Sequence, residues 1–546
     1  MAIPIHRQTS ASPPSTRRCL LGQTPSRRWL GVWRGNPPSW DLLLAALLAV
    51  ILFTAPIGYV FLRALQAGLD RWQVLLRTRV PVLLGNTLIL MGTVTAGAIV
   101  IGVTCAFLIE RTDLPGRRVL QTLLAMPLII PPYVGALTAI IVLGPTGLLR
   151  DLLGRAPIRL YSFGGVAALL ILFTYPYIYL MTAAALRRLN RSFEEAARSC
   201  GLSYHRVVMR VILPMLRPAI GAGAVLVALY VLSDFGLVSL MRYDTFTRAI
   251  YFQMTGRFDR SGAAVLSTLL ITLTLGVLWF EVKTRTGKGY AQTVGTYRPP
   301  QRVPLGKLKL PALGFVLLIV LCSVILPIGV LLYWGAQGVA RGFLNADLVR
   351  YLTNSLRIAA PTAVVAMALA VPVAYLRSRH PSSISRGVDR IISAGYALPG
   401  VIVALGVIFI FNRYLPALYA TPGMIVAACL MRFLPQSLRS ADASLELVAP
   451  RLDEAARGMG VRAGLVLWKV ILPIILPGVL AGGALVFVST MKELPATLLL
   501  RPAGLDTLAV RIWMEAHEGF YAAAALPALL LVLSSALPLS WMIRRY

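Results

Sequence analysis

Two acidic residues stand where an acid is expensive. Asp234, in Ser-Asp-Phe-Gly, and Glu493, in Lys-Glu-Leu-Pro-Ala-Thr, both lie inside long apolar runs and are 259 positions apart. A carboxylate in hydrocarbon survives where it is paired, hydrated or used, so each is a functional candidate by default. Carboxylate oxygens are hard ligands that suit a hard cation, and two of them facing each other across a symmetry axis could hold one transiently. The alternative stays open that each acid is neutralised by Lys492, by Arg432, or by polar backbone at a helix break.

The same spacing recurs in a second pair of residues with different chemistry. The passage EEAARSCGLSYHRVVMRVILPMLRP begins at Glu194, and DEAARGMGVRAGLVLWKVILPIILP begins at Asp453. Glu195 with Glu454, Gly201 with Gly460 and Pro214 with Pro473 all keep the 259 offset without a gap. A duplication held in register through a polar stretch indicates two related halves, each carrying the same contact surface. The stretch predicts a helix, a turn at Gly201 and a second short helix that Ser203 is placed to cap. Its small face, Ala196, Ala197 and Gly201, matched by Ala455, Ala456 and Gly460, would let another protein approach closely. Ser192 and Glu195 have capping-box spacing, so Glu195 could serve only the helix start. In the second copy Arg451 stands at the cap position while Glu454 remains, which favours an external partner for the glutamate.

The elements that must position these residues are transmembrane helices. Hydrophobic residues make up 57% of the chain and charged residues 14%, with a mean hydropathy of +0.75, outside the balance of a soluble globular protein. About twelve apolar runs are long enough to cross roughly 30 Å of hydrocarbon. Six begin near Trp40, Leu83, Leu120, Phe163, Pro218 and Ala263, and six near Leu310, Asn354, Ile391, Pro422, Leu476 and Ala522. The expected fold is all-α and integral to the membrane. An even number of spans per half makes the two six-helix repeats parallel, related by a pseudo-two-fold along the membrane normal. The expected organisation is a basic tail over 1–39, a first half over 40–282, a basic linker over 283–309 and a second half over 310–546. Asn86-Thr87-Leu88 echoes Asn354-Ser355-Leu356, Met126-Pro127 echoes Leu398-Pro399, and Pro176 echoes Pro435. Prolines inside spans kink helices and free backbone groups that neighbours or a wet cavity must satisfy.

The net charge of +32, from 53 Lys and Arg, needs its own reading. Placing both repeated loops and both termini on one side puts the larger share of that charge there, so this side is cytoplasmic. The charge is then a topology signal and not a nucleic-acid footprint. The tail carries Arg17 and Arg18 but no short apolar segment with a cleavage site, so the first apolar run is a retained anchor and the tail is expected to be disordered. Five cysteines and four histidines are scattered without metal-ligand spacing. No phosphate-binding loop occurs, since Gly287-Lys288-Gly289 lacks both the preceding glycine and the hydroxyl. The chain is therefore not expected to hydrolyse ATP itself or to bind a cofactor.

The pattern Glu-Ala-Ala, three residues, Gly, and then Leu-Pro resembles the cytoplasmic signature of permease subunits of binding-protein-dependent ABC importers. Both copies carry it, at Glu195, Ala196, Ala197, Gly201, Leu213 and Pro214, and at Glu454, Ala455, Ala456, Gly460, Leu472 and Pro473. The resemblance implies a type I importer fold in a bacterial inner membrane and a coupling helix in each half. It implies two ATPase subunits, which hold the ATP and Mg, and a periplasmic or lipid-anchored substrate-binding protein. The fused arrangement, with Ser-Asp-Phe-Gly in one half and Lys492 to Thr497 in the other, resembles the ferric-iron importers within that group. Fused thiamine permeases, and sulfate, molybdate and polyamine permeases with the same coupling motif, are the alternatives within the class. A proton-coupled secondary transporter built of two six-helix repeats is the alternative outside it.

Overall fold

A computed structural model describes residues 38–145, 147–154, 158–285 and 302–545. The expected disorder of the tail, its Arg17, Arg18 and Cys19, and most of the basic linker fall outside the described residues. Everything described is helix and connection, apart from one isolated parallel bridge between Thr112 and Val303.

Each half is built on three mutually packed helices. They are Val80–Arg111, Phe163–Arg188 and Leu213–Ser233 in the first half, and Ala346–Arg379, Pro422–Glu446 and Leu472–Met491 in the second. Small residues set the distance of approach, as expected where lipid supplies no hydrophobic drive between helices. A Cβ on Gly223 would lie 2.9 Å from the Ile178 Cα, and one on Gly482 would lie 3.0 Å from the Ser437 Cα. Both contacts repeat at the 259 offset. The first helix of each half crosses to the other. Trp40–Leu65 packs on Gly400–Tyr414 and Ala346–Arg379, and the Leu326–Ala340 segment packs on Pro132–Leu143. The halves are thereby interlocked and not merely adjacent.

The Leu-Pro of each repeat has a local structural consequence. Proline cannot donate to the carbonyl four residues back and its ring clashes with it, so the preceding turn must widen. Five-residue π turns occupy Val208–Ile212 and Leu467–Ile471, immediately before Leu213-Pro214 and Leu472-Pro473. A third, Leu321–Ile325, precedes Pro327 in the same way.

By length and apolarity, nine helices among the described residues can cross a membrane, or ten if one bent pair counts as a single span, against the twelve expected. The differences have identifiable causes. The span expected from Leu120 is present but begins later, at Pro132–Leu153, after Arg117–Ala125 and a 3-10 turn at Met126–Leu128, so three spans make up the difference. That from Ile391 is the bent pair, Ser383–Gly395 and Gly400–Tyr414, turned by 112°. Helix Pro422–Glu446 is long, but Arg432, Gln436 and Arg439 make it too polar to count among these spans. Tyr521–Ala536 is apolar but short within its described side chains. The expected echo of Met126-Pro127 with Leu398-Pro399 is also corrected. Pro131 and Pro399 hold the same extended backbone, ψ 138° and 137°, directly before a buried helix. They share with Asn86 and Asn354 an offset of 268.

Candidate functional site

Both repeated loops fold as helix, glycine turn and short helix. Ser192–Ser199 and Tyr204–Val207 flank Gly201, and Arg451–Gly458 and Ala463–Val466 flank Gly460. The two glycines adopt φ +81° and +86°, the left-handed region that other side chains rarely enter. Glu195 and Ala196 reach the surface on one loop, and Glu454 and Ala455 on the other. Ala197 is half-buried and Ala456 is buried, so the third residue of the motif packs inward and does not extend the small outer face. The capping expectations are corrected too. The Asn190 Oδ1, not a Ser192–Glu195 box, accepts from the Ser192 N–H at 3.2 Å. Ser203 sits at the N-cap but its hydroxyl accepts from the Arg206 Nε and caps no backbone group. Glu195 pairs with Arg191 at 2.7 Å while Pro450 replaces that arginine in the second copy, so the local partner of the glutamate is not duplicated.

The sequence reading missed the acid one position earlier. Glu194 is buried and paired with Arg111, whose side chain is 0% exposed. Asp453 is buried and accepts from the Arg379 Nε at 2.8 Å and the Tyr375 hydroxyl at 3.1 Å. Glu194 and Asp453 differ in type, which hid them in a search for repeated glutamates. Around each loop the same positions expose apolar side chains: Phe193 and Leu452, then Met209 and Trp468. At the edge of the first loop, Asp113 accepts from the Leu305 N–H at 2.9 Å and from Lys309 at 3.1 Å. These bonds hold its carboxyl below the usual carboxylate range and dock the end of the linker on the first half.

Asp234 and Glu493 lie at matching helix breaks. Leu213–Ser233 stops before Asp234 and restarts at Gly236–Leu240, and Leu472–Met491 stops before Glu493 and restarts at Pro495–Leu500. The Asp234 Oδ2 accepts from the Val238 N–H at 3.1 Å, and the Glu493 Oε1 from the Ala496 N–H at 3.0 Å. Their own carbonyls accept from the hydroxyls of Thr247 at 2.6 Å and Thr497 at 2.7 Å. Each acid thus satisfies the exposed amides of a restarted helix, the role of an N-cap. Glu493 is also paired with Arg432. The Arg432 Nη2 reaches into the first half to donate to the Ser233 hydroxyl at 3.2 Å, and the Lys492 ammonium donates to the Leu128 carbonyl at 2.9 Å. The breaks therefore meet at one interface between the halves. There the two carboxylates have backbone and guanidinium partners, and among the described residues no group of three or more His, Cys, Asp or Glu could hold a metal ion.

Two glycines allow this closeness. A Cβ on Gly236 would meet the Leu494 Cδ2 at 3.0 Å, and one on Gly400 would meet the Glu493 Oε1 at 2.6 Å. A cavity of about 520 Å³ opens between the halves. It is lined by Met254, Thr255, Phe258 and Arg260 from the first half and Ile408, Tyr419 and Leu499 from the second.

Interlocked helical halves, paired loops and paired helix breaks at the shared interface define a duplicated membrane permease. The chain matches the binding-protein-dependent transport system inner membrane component family twice, over residues 98–282 and 365–546, and belongs to that family. It is thus a multi-pass inner membrane component, the permease subunit of an ABC importer, and not a catalytic subunit. It is 34% identical to the Fe(3+)-transport system permease protein FbpB 2 of Haemophilus influenzae, over 94% of this chain and 99% of that protein. It is 24% identical to the ferric transport system permease protein FbpB of Actinobacillus pleuropneumoniae, over 81% and 68% of the two chains. A probable sulfate transport system permease protein, cysT of Nephroselmis olivacea, is 25% identical over 45% of this chain and 91% of its own.

Proposed function

We propose that the chain moves ferric iron inward by alternating access, with energy from two ATPase subunits that hold ATP and Mg and dock on the two Glu-Ala-Ala loops. The observation that carries the substrate assignment is the 34% identity to a permease named for Fe(3+) transport over almost the full length of both chains. Each half supplies six spans in the same orientation, broken helices included, and both termini are cytoplasmic with the loops. Glu195, Ala196, Gly201, Glu454, Ala455 and Gly460 form the docking faces, and Ala197 and Ala456 seat them. A substrate-binding protein delivers cargo to the opposite side, where the cavity between the halves opens. Asp234 and Glu493 line the cation route at the interface and contact the ion only in passing, when the Arg432 pair opens.

One observation favours a second reading. The Lys492 ammonium is held by a carbonyl and by no carboxylate among the described residues, which suits an oxyanion cargo of the kind named for the half-length sulfate relatives. Proteoliposomes carrying the permease, its ATPase and its binding protein distinguish the two. ATP-dependent uptake of ferric iron, with sulfate, molybdate and thiamine left outside, is expected. Uptake of an oxyanion or of thiamine in place of iron would overturn the assignment.

A further inference from the structure

In each half one long helix is fastened at both ends to the two parts of the machine that must move together. Val80–Arg111 spans 32 residues and Ala346–Arg379 spans 34, so each is about 50 Å long at 1.5 Å per residue. At one end Arg111 pairs with Glu194, and Arg379 binds Asp453 of the other coupling loop. At the other end the Asn86 amide donates to the Asp244 carbonyl at 3.0 Å, and the Asn354 amide to the Asp506 carbonyl at 3.1 Å. The Ser355 hydroxyl adds a bond from the Leu508 N–H at 2.9 Å. Asp244 and Asp506 lie in the turns that follow the restarted helices, and Thr247, three residues on from Asp244, bonds back to Asp234. All four fastening residues repeat at one offset, 268. Independent surface accidents would not be expected to recur at both ends of equivalent helices.

We infer that these two helices are the rods that carry displacement of the coupling loops to the helix breaks. Arg111, Arg379, Asn86 and Asn354 act as positioning residues for that transfer. An ion pair buried at the loop end makes separation costly, because either partner alone would be left charged and desolvated. Loop and helix end therefore move as one body. The lighter amide bonds at the far end fix the turn after each break to the same rod, so a shift of the rod along its axis pulls on the segment holding Asp234 or Glu493.

This inference rests on the docking role of the two loops, and its test separates the two ideas by measuring ATPase capture apart from coupling. The assembled complex is reconstituted with Arg111→Met and Arg379→Met together, and separately with Asn86→Ala and Asn354→Ala together. Both variants are expected to capture the ATPase and keep basal hydrolysis. Stimulation of hydrolysis by the loaded binding protein and uptake per complex are both expected to fall at least about tenfold in the arginine variant and several-fold in the asparagine variant. Arg111→Lys with Arg379→Lys is expected to recover part of the stimulation. Normal stimulation and uptake in the asparagine variant, which disturbs no buried charge, would overturn the rod, as would an arginine variant whose only defect is lost ATPase capture.

Discussion

Gly201→Asp combined with Gly460→Asp is expected to leave the permease folded and inserted while its ATPase no longer copurifies with it. The two glycines have left-handed backbone, and a Cβ at either would meet nothing within 4 Å. Aspartate tolerates that backbone better than most residues, so the cost to the loop itself is small. The new carboxylates instead project from the turn beside the exposed Ala196 and Ala455. A charge forced into the centre of a docking face costs about 2 kcal/mol or more, on the order of 30-fold per loop. Pull-down of the ATPase and substrate-stimulated hydrolysis should fall together and by similar factors. Full capture by the double variant would remove these loops from the docking interface.

Glu493→Gln is expected to be the more damaging of the two substitutions at the helix breaks, and Asp234→Asn the milder. Asparagine at 234 keeps an oxygen to accept from the Val238 N–H, and among the described residues no cation pairs with Asp234. Glutamine at 493 keeps the bond from the Ala496 N–H but leaves the Arg432 guanidinium, 13% exposed, without its counter-charge. Breaking such a pair costs about 3–5 kcal/mol, whereas replacing both partners by apolar groups of similar size is close to neutral. Arg432→Met added to Glu493→Gln removes the unpaired cation and keeps the acceptor for the Ala496 N–H, so this double variant should recover most of the thermal stability in detergent that Glu493→Gln alone loses. Iron uptake per folded complex then isolates the chemistry. If the carboxylate forms part of the cation route, uptake stays low in the stabilised double variant. Wild-type uptake there would reduce Glu493 to a helix cap with an ion-pair partner.

The functional candidates visible in the sequence were those that repeat at one offset. Glu195 with Glu454, and Asp234 with Glu493, stand 259 apart, and the structure places each pair at equivalent points of the two halves. The rods and the buried prolines follow a different offset, 268, because the segment between them and the coupling loop differs in length between the halves. Asn86 and Asn354 already show that offset in the sequence, but Arg111 and Arg379 lie among many arginines expected on the cytoplasmic side, and nothing in the sequence tells that their side chains turn inward to Glu194 and Asp453. The helix breaks were hidden for another reason. Phe235-Gly236-Leu237 and Leu494-Pro495-Ala496 remain apolar through the interruption, and hydropathy does not report which backbone amides are satisfied. The alternatives of pairing with Arg432 and of capping at a break were legible as options. In the fold Glu493 does both, while Asp234 does the second.

Native mass spectrometry of the complete transporter tests most directly the claim that one chain supplies both halves and both docking loops. The account predicts a particle with one copy of this chain and two ATPase copies, gaining one binding protein when loaded. Two copies of this chain for each ATPase pair would contradict it.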